Sequence, residues 1–293
     1  MAGRKRKTFA LTRTETPAQA VNTHEPRSDL KISPAKLKRA IGCDNGGTSA
    51  ETERSQYFCS NNNSQRRLGG DFFNQCCIRL AKALLGKVLS RRCADGTELR
   101  GRIVETEAYL GGEDKASHSA GGKRTERNTA MFMKPGTIYV YPIYGIYLCM
   151  NVSSEGEGAA VLLRSLEPLQ GQPLMRQLRT ARRREGARQL KDKELCNGPS
   201  KLCQALDIPR CFDRRNLASD PEVWLEHDAN ANPPGAHEIV SAPRIGIESH
   251  GEWAKKPLRF YLRGHPCVSV VNKEAERLNK QQNDTLLFLK LTG

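Results

Sequence analysis

No stretch of this 293-residue chain approaches the ~18–20 consecutive apolar residues that a membrane-spanning helix needs. Its first residues lack the apolar core of a secretory signal. The ten cysteines form no Cys-x-x-Cys pair, and the six histidines are scattered rather than clustered. Zinc-ligand spacing is therefore missing, and neither a structural nor a catalytic metal is expected; the chain is expected to need no cofactor. Cys76 and Cys77 are adjacent, so their side chains diverge on a helix. These absences leave the expectation of a soluble intracellular protein whose thiols stay reduced and mostly buried.

What the chain does have is positive charge, with 47 Lys and Arg against 32 Asp and Glu and a net charge of +15. Residues 1–67 hold 13 of the basic and 6 of the acidic residues, so this short stretch carries +7 of the total. A basic excess of that size favours a polyanion as partner; without a membrane segment, nucleic acid is the better fit. Residues 1–67 are rich in Ser, Thr, Asn, Pro, Gln and charge and show no apolar periodicity, the signature of a disordered tail. Arg4-Lys5-Arg6-Lys7 and Lys36-Leu37-Lys38-Arg39 are candidate nuclear-import signals or weak DNA tethers.

A folded domain is expected over 68–293, with the last ~20 residues flexible. Asp71 is a plausible helix N-cap, followed by Phe72, Phe73, Cys76, Leu80, Ala83 and Leu84 at helical spacing up to Gly86. Lys87–Arg92 reads as a strand, Ala94-Asp95-Gly96 as a hairpin turn and Glu98–Leu110 as a long strand. Gly111–Asn128 is a polar loop. Thr137–Asn151 reads as two strands broken at Gly145, Ser153–Gly158 as a turn, and Ala159–Leu166 as a further strand. Met175 to about Gln189 is a basic helical stretch, and Pro199–Leu206 opens like a short helix. Val223–Glu226, Pro243–Ile247 and Leu258–Arg263 are short strands. Central strands with helices at the edges suggest a single α+β domain.

The chemistry begins in Arg102-Ile-Val-Glu-Thr-Glu-Ala-Tyr-Leu-Gly111. Strand alternation puts Glu105, Glu107 and Tyr109 on one face, with Ile103 in phase, and Val104, Thr106, Ala108 and Leu110 on a core-facing side. A carboxylate pair on a strand face is more often solvated than catalytic. Tyr139, Tyr141, Tyr144 and Tyr147 place four of the seven tyrosines within nine residues. A half-buried sheet would account for most of them, but Tyr144 abuts the turn glycine, where a large ring serves no core. In a basic protein such a ring suggests a wedge between bases.

Arg100–Gly111, His118, Met131-Phe-Met-Lys-Pro-Gly-Thr137, the Tyr-rich hairpin, Leu195-Cys-Asn-Gly-Pro-Ser-Lys-Leu-Cys203 and Gly251-Glu-Trp-Ala-Lys-Lys-Pro-Leu-Arg-Phe-Tyr261 together resemble the alkyladenine (3-methyladenine) DNA glycosylase family of vertebrate type. The resemblance runs from about Leu68 to about Val271. It implies a central, mostly antiparallel, barrel-like sheet with peripheral helices and a protruding β-hairpin. It also implies excision of alkylated or deaminated purines (3-methyladenine, 7-methylguanine, hypoxanthine, etheno-adenine) from double-stranded DNA. Carried over residue by residue, it makes Glu107 the base that activates water, with Arg164 and the carbonyl of Ile245 as further water contacts. Tyr109, His118 and Tyr141 would sandwich the flipped base, Asn151 would exclude ordinary guanine, and Tyr144 would fill the gap in the duplex. Thr125, Arg127 and Lys201 would face the DNA backbone. Pro142 and Ile146 depart from the family pattern beside the wedge; Pro142, lacking an N–H, must lie on a ladder edge or face solvent.

Building positive charge on the sugar calls for a nearby carboxylate that also takes a proton from water. Glu105 is expected to serve a structural salt bridge rather than catalysis. No lysine is placed as a nucleophile, with Lys134 in a Lys-Pro-Gly turn, so a monofunctional hydrolase is expected. A monomer in the nucleus follows as the expectation, with contacts to other repair proteins through the tail. Two alternatives stand beside this reading: a damaged-DNA-binding protein without catalysis, and a magnesium-dependent nuclease using Glu105, Glu107 and Glu113-Asp114.

Overall fold

A single long strand organises the molecule. In the computed structural model, which describes residues 66–229 and 231–292, that strand is Glu98–Tyr109. Counting along the chain, the strands are β1 (Val88–Arg92), β2 (Glu98–Tyr109), β3 (Ile138–Ile143), β4 (Tyr147–Ser153), β5 (Ala160–Gln170), β6 (Val223–Glu226), β7 (Ile239–Ala242) and β8 (Arg259–Leu262). The helices are α1 (Gly70–Phe73), α2 (Cys77–Ala83), α3 (Gln172–Thr180), α4 (Asp192–Leu195), α5 (Pro199–Ala205), α6 (Glu252–Lys255) and α7 (Lys273–Thr292).

The eight strands form one sheet: six run in the order β3-β4-β5-β2-β1-β6, β8 branches from β2 and carries β7, and every pairing of strands is antiparallel. One edge of β2 is shared. Its first half, Glu98–Arg102, pairs with β1, and its second half, Glu105–Glu107, pairs with β8. The α+β reading holds, but the expected barrel-like sheet is a forked, open one. The fork needs a break in β2, and the register against β5 shifts between Ile103 and Glu105 and again before Thr106. This bulge corrects the simple alternation. Ile103 joins the main core with Ala108, whereas Val104 packs in a smaller cluster with Val240, Ala242 and Tyr261.

Other segments also differ from their sequence readings. The first helix is two short ones, α1 and α2, split at Asn74–Cys76 where Cys76 bridges to Glu155; Gly69, not Asp71, is the N-cap of α1. Helix α3 ends at Thr180, short of the expected Gln189, and Gly186 beyond it takes φ +77°. Pro243–Ile247 is not a strand; pairing stops at Ala242, just before the proline that cannot donate to a ladder. The segment after Val271 is helical, forming α7. Of the tail, residues 1–65 lie outside the described residues, and Arg66–Leu68 already pair with Leu225–His227. No helix among the described residues is long and apolar enough to cross a membrane.

The core sits between α2, α5 and one face of the sheet. Leu80, Leu84, Leu89, Leu99, Ile103, Leu163 and Leu166 are fully buried in it. Each such side chain contributes roughly 1.5–3 kcal/mol of burial energy. Thr106 donates its hydroxyl to the carbonyl of Ala81 at 2.8 Å, tying β2 to α2. With that face filled, the opposite face of β2, β5, β4 and β3 is left to build a site.

Candidate active site

Glu107 pairs with Leu162 on β5, Leu162 with Asn151 on β4, and Asn151 with Tyr139 on β3. One row of side chains therefore crosses four strands. Alternation adds the next positions on the same face: Tyr109, Arg164, Cys149 and Tyr141. All eight line one cavity of about 360 Å³, together with His118, Arg127, Tyr144, Ile245 and His250. The hairpin between β3 and β4 closes its rim.

Glu107 is fully buried and held by two hydrogen-bond donors and an ion pair. The Ile245 backbone N–H donates to Oε1 at 2.8 Å, the Tyr109 hydroxyl donates to Oε2 at 2.9 Å, and an Arg164 Nη lies 3.2 Å from Oε1. Glu105 is equally buried, with Arg164 Nε at 3.3 Å, Arg259 Nη1 at 2.7 Å and the Ser269 N–H at 2.8 Å. Two carboxylates thus face two guanidiniums, and the buried cluster is formally neutral. That balance is what makes its burial tolerable, since an unpaired charge there would cost several kcal/mol. Burial works against the charge of Arg164, but Glu107 and Glu105 outweigh it and hold the guanidinium protonated. The Tyr109 hydroxyl is pushed well above its usual range by burial and by the charge of Glu107, so it stays a donor.

The aromatic wall is a trio. His118 meets Tyr141 edge-on with ring centres 4.6 Å apart, and Tyr139 and Tyr141 are tilted by 30° at 5.1 Å. His118 Nδ1 hydrogen-bonds the Tyr139 hydroxyl at 2.8 Å. Burial, and then the charge of Arg127, push the imidazole down to about 4. At neutral pH it is uncharged. The Arg127 guanidinium lies 5.2 Å from the centre of the Tyr141 ring. Asn151 donates its amide to the Tyr139 carbonyl at 3.1 Å, which fixes its rotamer.

Tyr144 is 86% exposed at the hairpin tip. Its φ of +51° is a left-handed conformation that a bulky residue adopts at a cost of order 1 kcal/mol. Gly145 follows at φ +74°, and two left-handed residues in succession are what lets Ile143 pair with Tyr147 across so short a turn. Pro142 sits on β3, the edge strand, where its missing N–H breaks no ladder, and its carbonyl accepts from Arg127 at 3.4 Å. On the hairpin's flank a second cleft of about 540 Å³ shares Ile143 and Tyr144 and adds Ile146, Tyr147, Arg182, Arg183 and Lys201.

The residues expected from the sequence are therefore gathered, with two exceptions. Lys201 lies in the flanking cleft, 3.0 Å from Asn197 Oδ1. Thr125 is outside both clefts and caps a short 3-10 turn through Asn128. At Ile245 the structure engages the amide N–H with Glu107, an interaction the carbonyl assignment left out. Sequence reading also missed Arg244 and Arg259. Arg259 lay within a motif already singled out, and Arg244 adjoins Ile245, so sequence neighbourhood was the available signal. Asp114, a weighed metal ligand, is locked by Arg244 and by the N–H groups of Leu110 and Ala116. Among the described residues no His, Cys, Asp and Glu are grouped as a metal site.

The methylpurine-DNA glycosylase family model matches residues 71–266. The DNA-3-methyladenine glycosylase of Mus musculus is 60% identical over 231 residues, covering 78% of this chain and 69% of that protein. The protein of the same name from Homo sapiens is 60% identical over 225 residues, covering 76% and 75%. A probable DNA-3-methyladenine glycosylase of Encephalitozoon cuniculi is 51% identical over 198 residues, covering 67% and 90%.

Proposed function

The chain belongs to the methylpurine-DNA glycosylase family and is a DNA glycosylase, and from that premise we propose that it flips damaged purines out of duplex DNA and hydrolyses the base–sugar bond with a water activated by Glu107. The observation that carries this reading is the setting of Glu107: a buried carboxylate, oriented by two hydrogen bonds and an ion pair, on the wall of an aromatic-lined cavity whose rim bears an exposed tyrosine.

In this reading the base enters between Tyr109 and the His118–Tyr141 pair. Cationic 3-methyladenine and 7-methylguanine stack on the electron-rich rings, and a neutral His118 does not repel them. Hypoxanthine and etheno-adenine are neutral members of the same substrate set. The bond from the anomeric carbon to the base nitrogen breaks with its electron pair leaving on the base; Glu107 offsets the positive charge developing on the sugar and takes a proton from the water that attacks that carbon. Arg164 keeps the carboxylate aimed. Asn151, held by Tyr139, clashes with the exocyclic amine of ordinary guanine. Tyr144 replaces the lost stack, offsetting part of the few kcal/mol that flipping costs. Arg127 and the cations of the flanking cleft, Lys201 among them, face phosphates.

Among the described residues no lysine lines the cavity, which supports hydrolysis by water without strand cleavage. We place the enzyme in the nucleus as a monomer. The two basic clusters behind the nuclear address, and any surface for other repair proteins in the tail, lie outside the described residues. The deciding experiment is single-turnover excision from a hypoxanthine or etheno-adenine duplex, wild type against Glu107→Gln. Equal rates would remove the mechanism, and product formation unchanged by EDTA would set aside a metal-dependent nuclease.

A further inference from the structure

Behind Tyr109 lies an ion pair that the catalytic reading does not use. Arg244 and Asp114 have side chains with no exposure at all. The Arg244 guanidinium lies 4.5 Å from the centre of the Tyr109 ring. One Nη donates to the Ala108 carbonyl at 2.9 Å, and the other donates to Asp114 Oδ1 at 2.8 Å. Asp114 in turn accepts the N–H of Leu110 at 3.1 Å and of Ala116 at 3.0 Å, and its own carbonyl accepts the Ser117 N–H at 2.8 Å.

Three parts of the pocket meet at this pair. The end of β2 carries Glu107 and Tyr109. The turn pinned by Asp114 delivers His118. The segment containing Arg244 delivers its neighbour Ile245, whose N–H reaches Glu107. Tyr109 is the last residue of its strand, paired with Ala160 of β5, and Gly111 at φ +93° turns the chain away two residues later. Within the strand the ring is anchored at its hydroxyl, by Glu107; its face is anchored from outside the strand, by a planar, permanently charged guanidinium packed on it.

We propose that Arg244, held by Asp114, is a positioning residue for the reaction. It sets the Tyr109 ring so that its hydroxyl reaches Glu107 and its face borders the base slot. The proposal rests on the reading of Glu107 given above.

Removing one partner would strand a buried charge and unfold the region for trivial reasons. The test therefore neutralises both, with Arg244→Gln and Asp114→Asn together in the full chain, which keeps one acceptor oxygen where Leu110 and Ala116 donate. Single-turnover excision from a hypoxanthine duplex is measured at saturating enzyme, with and without Tyr109→Phe, beside melting temperature and undamaged-duplex affinity. A residue acting through Tyr109 should cost at least 10-fold in rate when Tyr109 is intact and at least 3-fold less than that when its hydroxyl is gone. Undamaged-duplex affinity should stay within 2-fold. A cost that changes by less than 3-fold between the two backgrounds, or no cost at all, overturns the positioning role. If the neutral pair does not fold, Arg244→Lys goes through the same cycle under the same criterion. Wild type and Glu107→Gln run alongside; equal rates there would remove the underlying reading rather than the positioning role alone.

Discussion

The Tyr109 hydroxyl donates to Glu107 Oε2 at 2.9 Å from two residues further along the same strand face. A strand neighbour thus aims the proposed catalytic carboxylate, while Arg164 and the Ile245 N–H hold its other oxygen. The hydrogen bond is to a charged acceptor, a type worth about 1.5–3 kcal/mol. Tyr109→Phe should lower the single-turnover rate by roughly 10-fold, since about 1.4 kcal/mol is a factor of ten. Glu107→Gln should lower it by about 10²–10⁴-fold. Both should bind lesion duplex within a few-fold of wild type. Quench-flow release of the base, paired with equilibrium binding, separates the two effects; a comparable loss of affinity would argue against a role confined to the chemical step.

Tyr144 is held in a strained left-handed conformation and serves no core. Glycine adopts that conformation without penalty. Tyr144→Gly should therefore leave melting temperature unchanged or raise it slightly, while weakening flipping and lowering excision under subsaturating enzyme by about 10-fold or more. Fluorescence of etheno-adenine on unstacking reports the flip directly. A variant that is less stable and still flips normally would mark Tyr144 as a structural turn residue.

His118 titrates at about 4 in the folded chain against 6.5 for an ordinary imidazole. Between those values the unfolded chain takes up a proton that the folded chain does not. The stability associated with neutral His118 is therefore intact above about pH 6.5 and is lost as pH falls toward 4. The ring is partly open to solvent, which limits the size of the effect. Urea unfolding at pH 7 and pH 5 should show a larger loss for wild type than for His118→Gln. Parallel behaviour of the two would mean that His118 is not withdrawn from water in solution.

The flanking cleft offers Arg182, Arg183 and Lys201 beside the wedge. As phosphate contacts they should act on every sequence and lesion alike. Each replacement by Gln should weaken duplex binding uniformly and reduce the slope of log affinity against log salt by about 1. Titrations at several salt concentrations with undamaged and lesion duplexes check this. An unchanged slope would place the cations off the DNA path.

Much of this was legible beforehand. Strand β2, the tyrosine hairpin with its tip at Tyr144–Gly145, the β1–β2 turn at Gly96 and helix α5 were all visible, because alternation and turn chemistry are local properties of a few residues. The bulge at Ile103–Thr106 was not, since it arises where β5 and β8 compete for the geometry of one strand. The split between α1 and α2 was hidden for a similar reason, being set by a bridge from Cys76 to a residue far along the chain. Thr125, which the resemblance puts on the DNA-facing surface, also caps its own turn through Asn128.

The sequence by itself determined which face of β2 carries Glu107 and Tyr109, and the charge that makes a polyanion the natural partner. It left open whether that face was solvated, the more common fate of strand carboxylates. Only the tertiary structure decided it. The register of β5, β4 and β3 sets Leu162, Asn151 and Tyr139 in a row with Glu107. Arg164 and Arg259, distant in the chain, arrive to neutralise Glu105 and Glu107. A carboxylate leaves water only when opposite charge and donors replace its hydration, and those replacements come from strands that alternation along β2 cannot see.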